Sequence, residues 1–286
     1  MELVAILSGL AAAVAWGTAD FAGGLASRGV SAVRVVLASQ FLGTLALLAL
    51  NLALRQAIPA PHDLLLGMIA GLAGGTGLVL LYLSLARDKM GVAAPLTAVA
   101  SGGIPLTVGL VTEGLPGAPQ LTGFLLALVA IWIISRPDGD SPIRPGNIVL
   151  PLLAGIGFGV FLTIIGRVGP DAGFVWPVVA ARLASMSLMA ALVVAGLLRS
   201  RGKSPGEGRA SFPWSLAALA ALGDTSGNAF FILSSELGRL DVASVLGALY
   251  PAATVLLARL VLGERLTSRQ SAGVGVALAA VMLIAV

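Results

Sequence analysis

The chain has 286 residues, of which 58% are hydrophobic and 10% charged, with a mean hydropathy of +1.01 and a net charge of +4. So few ionisable side chains cannot coat a soluble domain, and the composition places the chain in a bilayer. The basic residues lie scattered between apolar blocks without aromatic partners, which argues against nucleic acid, and the lack of cysteine excludes disulfides, thiol redox chemistry and thiolate metal sites.

A spanning helix needs about 20 mainly apolar residues, and ten such stretches follow one another: 3–26, 35–54, 64–86, 92–112 and 121–134, then 148–166, 174–198, 214–235, 242–262 and 271–286. The first has no basic start and no convincing cleavage site before the second block, so it is read as a retained helix. The connectors are short apart from 136–144 and 199–210, both rich in Gly, Pro and Ser. The first of these is the seam between 1–136 and 147–286, with 137–146 as connector; the second reads as a surface loop. His62, the single histidine, sits in a Pro-Ala-Pro-His-Asp connector and is read as solvated rather than as a ligand.

The two parts repeat one another. Leu7-Ser8-Gly9 to Ser39 runs parallel to Leu153-Ala154-Gly155 to Ser185. Later the offset is about 150, with Gly77 opposite Gly227, Val92-Ala93 opposite Val242-Ala243, Gln120 opposite Gln270, and Glu113 and Glu264 after corresponding helices. Five helices per copy is an odd number, so the second copy enters the membrane upside down, the geometry that alternating access uses. The expected fold is therefore all-α integral membrane, with ten transmembrane helices as two inverted five-helix repeats. Loops after odd-numbered helices hold Arg28, Arg34, Arg87, Lys89, Arg136, Arg144, the Arg199 to Arg209 cluster, Arg265 and Arg269, against Arg55, Arg167 and Arg239 on the other side. Positive charge marks the cytoplasmic side, so both termini are expected outside the cytoplasm, in a plasma (inner) membrane.

Ten helices in two repeats, Ala15-Trp16-Gly17-Thr18 in the first helix, Tyr250-Pro251 in the ninth and Leu262-Gly263-Glu264-Arg265-Leu266 after it together resemble the EamA branch of the drug/metabolite transporter superfamily, over nearly the whole chain. The resemblance implies a secondary transporter, often an exporter of amino acids or other small metabolites, with a cavity lined by both repeats. The match is uneven. Glu113 lacks the Gly-Glu-Arg context of the second copy, and Leu162-Thr163 replaces the Trp-Gly pair. No Glu lies within 3–26, so the proton-coupling Glu of the superfamily's four-helix multidrug exporters has no counterpart there.

Ionisable groups inside spans are expensive and mark candidate sites. Asp224 lies mid-span in Gly223-Asp224-Thr225-Ser226-Gly227-Asn228, with Asn228 one turn along on the same face. A carboxylate beside an amide suits an amine, a cation or a proton; the competing reading is a helix break or packing. Asp20 shares a face with Trp16, or is an interfacial carboxylate. Arg182 can pair with Asp224 or Asp20, attract a substrate carboxylate, or snorkel, and snorkelling is favoured for Arg259. Trp16, Tyr82 and Tyr250 offer apolar walls with a polar donor, or plain packing. Trp132, Trp176 and Trp214 read as interface anchors. The glycine-rich runs 71–77 and 155–159 lack the Gly-Lys-Ser/Thr of a phosphate loop and read as close helix packing, and Pro95, Pro105 and Pro251 as kinks or bends within spans.

The candidate substrate-binding set is thus Trp16, Asp20, Tyr82, Arg182, Asp224, Asn228 and Tyr250. No catalytic pair, metal site or cofactor motif is present in the sequence, which argues against an intramembrane enzyme. A secondary transporter of a small zwitterion such as an amino acid is the leading reading. A channel, a lipid scramblase, or an exporter of drugs or organic cations are the alternatives. Expected partners are the small substrate, the bilayer and, by exchange, protons. A monomer suffices, with dimerisation left open.

Overall fold

The computed structural model describes residues 2–87, 90–112, 117–135, 146–199, 211–237, 246–247 and 249–284. Within them the chain is all α, without strands, in ten helices: α1 Glu2–Ala26, α2 Ala32–Leu54, α3 Pro61–Arg87, α4 Met90–Thr112, α5 Ala118–Ser135, α6 Gly146–Ile165, α7 Val175–Arg199, α8 Trp214–Leu237, α9 Tyr250–Leu262 and α10 Ser268–Ile284. A one-turn 3-10 helix, Pro170–Ala172, precedes α7. Nine of the ten apolar stretches of the sequence each coincide with one helix, and α9 covers the described later part of the ninth, 242–262, because backbone groups in hydrocarbon must bond within their own segment. Six of these helices are long and apolar enough to cross a membrane by length and composition: α1, α2, α3, α6, α7 and α8. Glu113, Arg239, most of the connector 137–146 and the basic residues of 200–209 lie outside the described residues.

Lipid-facing stripes are visible as exposed apolar side chains, such as Leu3, Leu7, Leu10 and Val14 on α1 and Leu219, Leu222, Phe230 and Leu233 on α8. The opposite faces carry small residues that let backbones approach. A Cβ at Gly223 would lie 2.7 Å from the Ala15 carbonyl oxygen, and one at Gly159 would lie 2.8 Å from that of Ser101. Packing pairs recur five helices apart. The α1–α8 contact is matched by α6–α3, α3–α7 by α8–α2, and α4–α6 by α9–α1, while α2–α7, α4–α9 and α5–α10 each join corresponding helices. The pattern is uneven in several places; α4, for one, packs on α10 without a comparable contact of α9 with α5 among the described residues. α1 also packs on α3, where the Tyr82 ring lies directly over Gly23, and α6 and α8 make no comparable contact among the described residues.

Polar caps tie the two halves together at both ends. At one end Gly263, at φ 65°, closes α9, and the Glu264 carboxylate then accepts the backbone N–H groups of Met90 and Gly91, each at 3.2 Å, at the start of α4. Arg28, just past α1, approaches the same carboxylate at 3.4 Å. At the other end Val175 N–H donates to Gln56 Oε1 at 3.0 Å, Trp176 Nε1 donates to the Gln56 carbonyl at 2.9 Å, and Gly169 N–H donates to Asp63 at 2.9 Å. Loops after odd-numbered helices therefore meet at one end, and loops after even-numbered helices at the other.

Pro251 stands in the first turn of α9, shortly after helical residues 246–247, where its missing N–H removes no helical bond. Pro151 is inside α6 near its start, and its carbonyl accepts the buried Thr97 hydroxyl at 3.1 Å.

Candidate functional site

The centre of α8 is built from two opposed faces. At about 100° per residue, Asp224 stands about 200° round the helix from Leu222, and Asn228 falls on the Asp224 side. Leu222 and its neighbours on the stripe are exposed, while Gly223, Thr225 and Gly227 are buried between α8 and its neighbours. Asp224 nevertheless keeps 43% of its side-chain surface accessible. Since it faces away from the lipid stripe, that accessibility opens onto the interior of the helix bundle.

Arg182 reaches Asp224 from α7. Its Nη2 donates to Asp224 Oδ2, and its Nη1 donates to Thr225 Oγ1 at 3.1 Å. The Thr225 hydroxyl in turn donates to the Ala221 carbonyl at 2.8 Å, so its acceptor lone pair is aimed at the guanidinium. The guanidinium is almost fully buried, with 4% of the side chain accessible. Room for it comes from Gly43 on α2: a Cβ there would lie 2.8 Å from Arg182 Cζ and closer still to Nη1. A charge this deep persists only when paired and hydrogen-bonded, and Asp224, Thr225 and the Gly43 notch supply those conditions together.

The first half contributes the remaining members. Asp20 on α1 is half-buried, one residue past Ala19, whose Cβ is within 3.1 Å of where a Gly223 side chain would begin, and one turn before Gly23 under the Tyr82 ring. It stands close enough to Asp224, Tyr82 and Tyr250 to interact with each electrostatically. Tyr82 is buried and hydrogen-bonded to Ser39, and it also senses the charges of Asp224 and Arg182. Tyr250 is hydrogen-bonded to Ser101. Trp16 packs on α8, with Gly227 against its indole and Phe231 at a ring-centroid distance of 5.6 Å.

Trp16, Asp20, Tyr82, Arg182, Asp224 and Tyr250 thus form one neighbourhood, and Asn228 joins it by its place on α8. Arg182 pairs with Asp224 and does not snorkel. Arg259 is exposed, as is Trp214; the side chain of Trp132 lies outside the described residues. Two contributors escaped the sequence reading. Gly43 lies among Leu, Thr and Ala and carries no local signal, and Thr225 was visible only as a member of the motif around Asp224. Ser39 and Ser101, partners of the two tyrosines, were equally silent.

Residues 146–286 match the EamA-like transporter family. No curated protein matches the sequence. A solved crystal structure, described only as that of a protein, superposes with a TM-score of 0.61 at 14% identity, covering 98% of this chain and 96% of its own. At that identity the likeness concerns the fold alone.

Proposed function

Because residues 146–286 match the EamA-like transporter family, we propose that the chain is a secondary transporter that moves small metabolites, such as amino acids, out of the cell by alternating access. The observation that carries the reading is Asp224, a mid-helix carboxylate turned away from lipid, partly accessible from inside the bundle and neighboured by Asp20 and Tyr82. A charge at that depth is costly, and an accessible one is functional by default.

The units 1–136 and 147–286 act in this reading as two inverted repeats. Packing pairs that recur five helices apart, and the meeting of odd loops at one end and even loops at the other, support that relation. The closed contact of α1 with α3, without a comparable contact of α6 with α8, is the kind of asymmetry that rocking would exchange between halves. The arginine-rich end faces the cytoplasm, both termini lie outside it, and the membrane is the plasma membrane. Proton exchange through Asp224 or Asp20 supplies the driving force, and one chain suffices.

In proteoliposomes Asp224→Asn is expected to lower substrate flux. Wild-type flux from that variant would remove Asp224 from the site, and flux indifferent to an imposed pH gradient would remove proton coupling. A reporter active only in the cytoplasm, fused after Val286, is expected to be silent; strong activity overturns the orientation.

A further inference from the structure

Two carboxylates and one guanidinium meet at the site, but a substrate does not meet all three. The guanidinium of Arg182 is 4% accessible, wedged into the Gly43 notch with its two terminal nitrogens already donating to Asp224 and Thr225. Asp224 is 43% accessible on the inward face of α8. Asp20, one turn from the floor that Tyr82 makes over Gly23, has no cationic partner among the described residues. From the interior the cluster therefore offers carboxylate oxygens, with its positive charge hidden behind them. The formal sum over Asp20, Asp224 and Arg182 is one negative charge.

We infer that this site recognises the cationic nitrogen of its substrate, with Asp20 and the free face of Asp224 as the counter-charge, and that Arg182 holds Asp224 in place rather than receiving a substrate carboxylate. The inference rests on the transport reading of the same site and adds to it the charge class of the cargo. A monocation restores neutrality to the cluster, whereas an anion would face two carboxylates and find no open guanidinium. Trp16, one turn before Asp20 on the same face of α1, adds a ring able to attract a cation. A zwitterion is accepted through its ammonium end, and its carboxylate is not what is read.

The test is thermal stabilisation of the full-length protein in lipid nanodiscs by a matched panel. For each of several amino-acid side chains, the amide supplies the cation, the free amino acid the zwitterion and the N-acetyl derivative the anion; choline and alkylamines extend the cationic arm. Cations are expected to stabilise most, zwitterions less, and N-acetyl anions not at all. Asp20→Asn, which removes a carboxylate without stranding a partner, is expected to weaken the response to cations by about tenfold or more while leaving the unliganded melting temperature close to that of wild type. Stabilisation by an N-acetyl anion, an undiminished cation response in Asp20→Asn, or no response to any cation overturns the inference. Counterflow of the same compounds in proteoliposomes separates the two readings. Anion flux leaves transport standing and sinks the charge class, and cation binding without flux does the reverse.

Discussion

Two interhelical ion pairs, one across the halves of the fold and one within the second half, are built the opposite way round. In Arg28 with Glu264 the carboxylate is the sheltered partner, 14% accessible, and the guanidinium is 36% accessible. In Arg182 with Asp224 the guanidinium is sheltered and the carboxylate accessible. The difference follows from what else each buried group bonds. Glu264 is satisfied by two backbone N–H groups at the start of α4, so its work is complete within the protein. Arg182 is satisfied by Thr225 and the Gly43 notch, which leaves Asp224 with an unused face toward the interior. The first arrangement is a clamp and the second a clamp with a free valence; only the second suits a binding site.

That contrast can be broken at graded cost. Asp224→Asn leaves the Arg182 guanidinium buried without its counter-charge and should destabilise the protein by about 3 kcal/mol, read as a lowered midpoint of thermal unfolding in detergent. Replacing both partners with apolar residues, Arg182→Met with Asp224→Leu, should recover most of that stability without recovering flux, which separates folding from function. If the single variant melts like wild type, the guanidinium does not depend on Asp224.

Gly43→Ala puts a methyl group where the guanidinium sits. It should cost about 1–3 kcal/mol by overpacking and lower flux by displacing Arg182; unchanged stability would mean that α2 and α7 part freely. At the other pair, Glu264→Ala removes the cap of α4 and should cost about 0.5–2 kcal/mol, a smaller loss that hydrogen exchange would locate in the first turn of α4. Arg28→Ala is the mildest change. The exposed guanidinium contributes about 0.2–1 kcal/mol, and a larger loss would show that the two pairs are less different than their accessibilities imply.

Much of the fold was legible. Apolar length is a local property, so the stretches of sequence coincide with helices whose ends differ by a few residues, apart from the ninth stretch, of which α9 covers the later part. The candidate site was legible where a residue violates its surroundings. Asp20, Arg182 and Asp224 stand out because charge is rare in apolar helices. Gly43 did not, because a glycine among Leu and Thr is unremarkable until a side chain from another helix points at it. The role of Glu264 was likewise hidden. Its motif was plain, but its partners are backbone N–H groups on α4, and every non-proline residue carries one.

The amino-acid sequence alone determined membrane residence, the helices and their order, and the few charges that must find partners, since each depends on hydropathy along a short segment. Tertiary structure decided which end of an ion pair is left accessible. That choice depends on what residues distant in sequence place beside each group: a missing side chain at Gly43, a hydroxyl at Thr225 and a face of α8 turned from lipid, brought together only when α2, α7 and α8 pack.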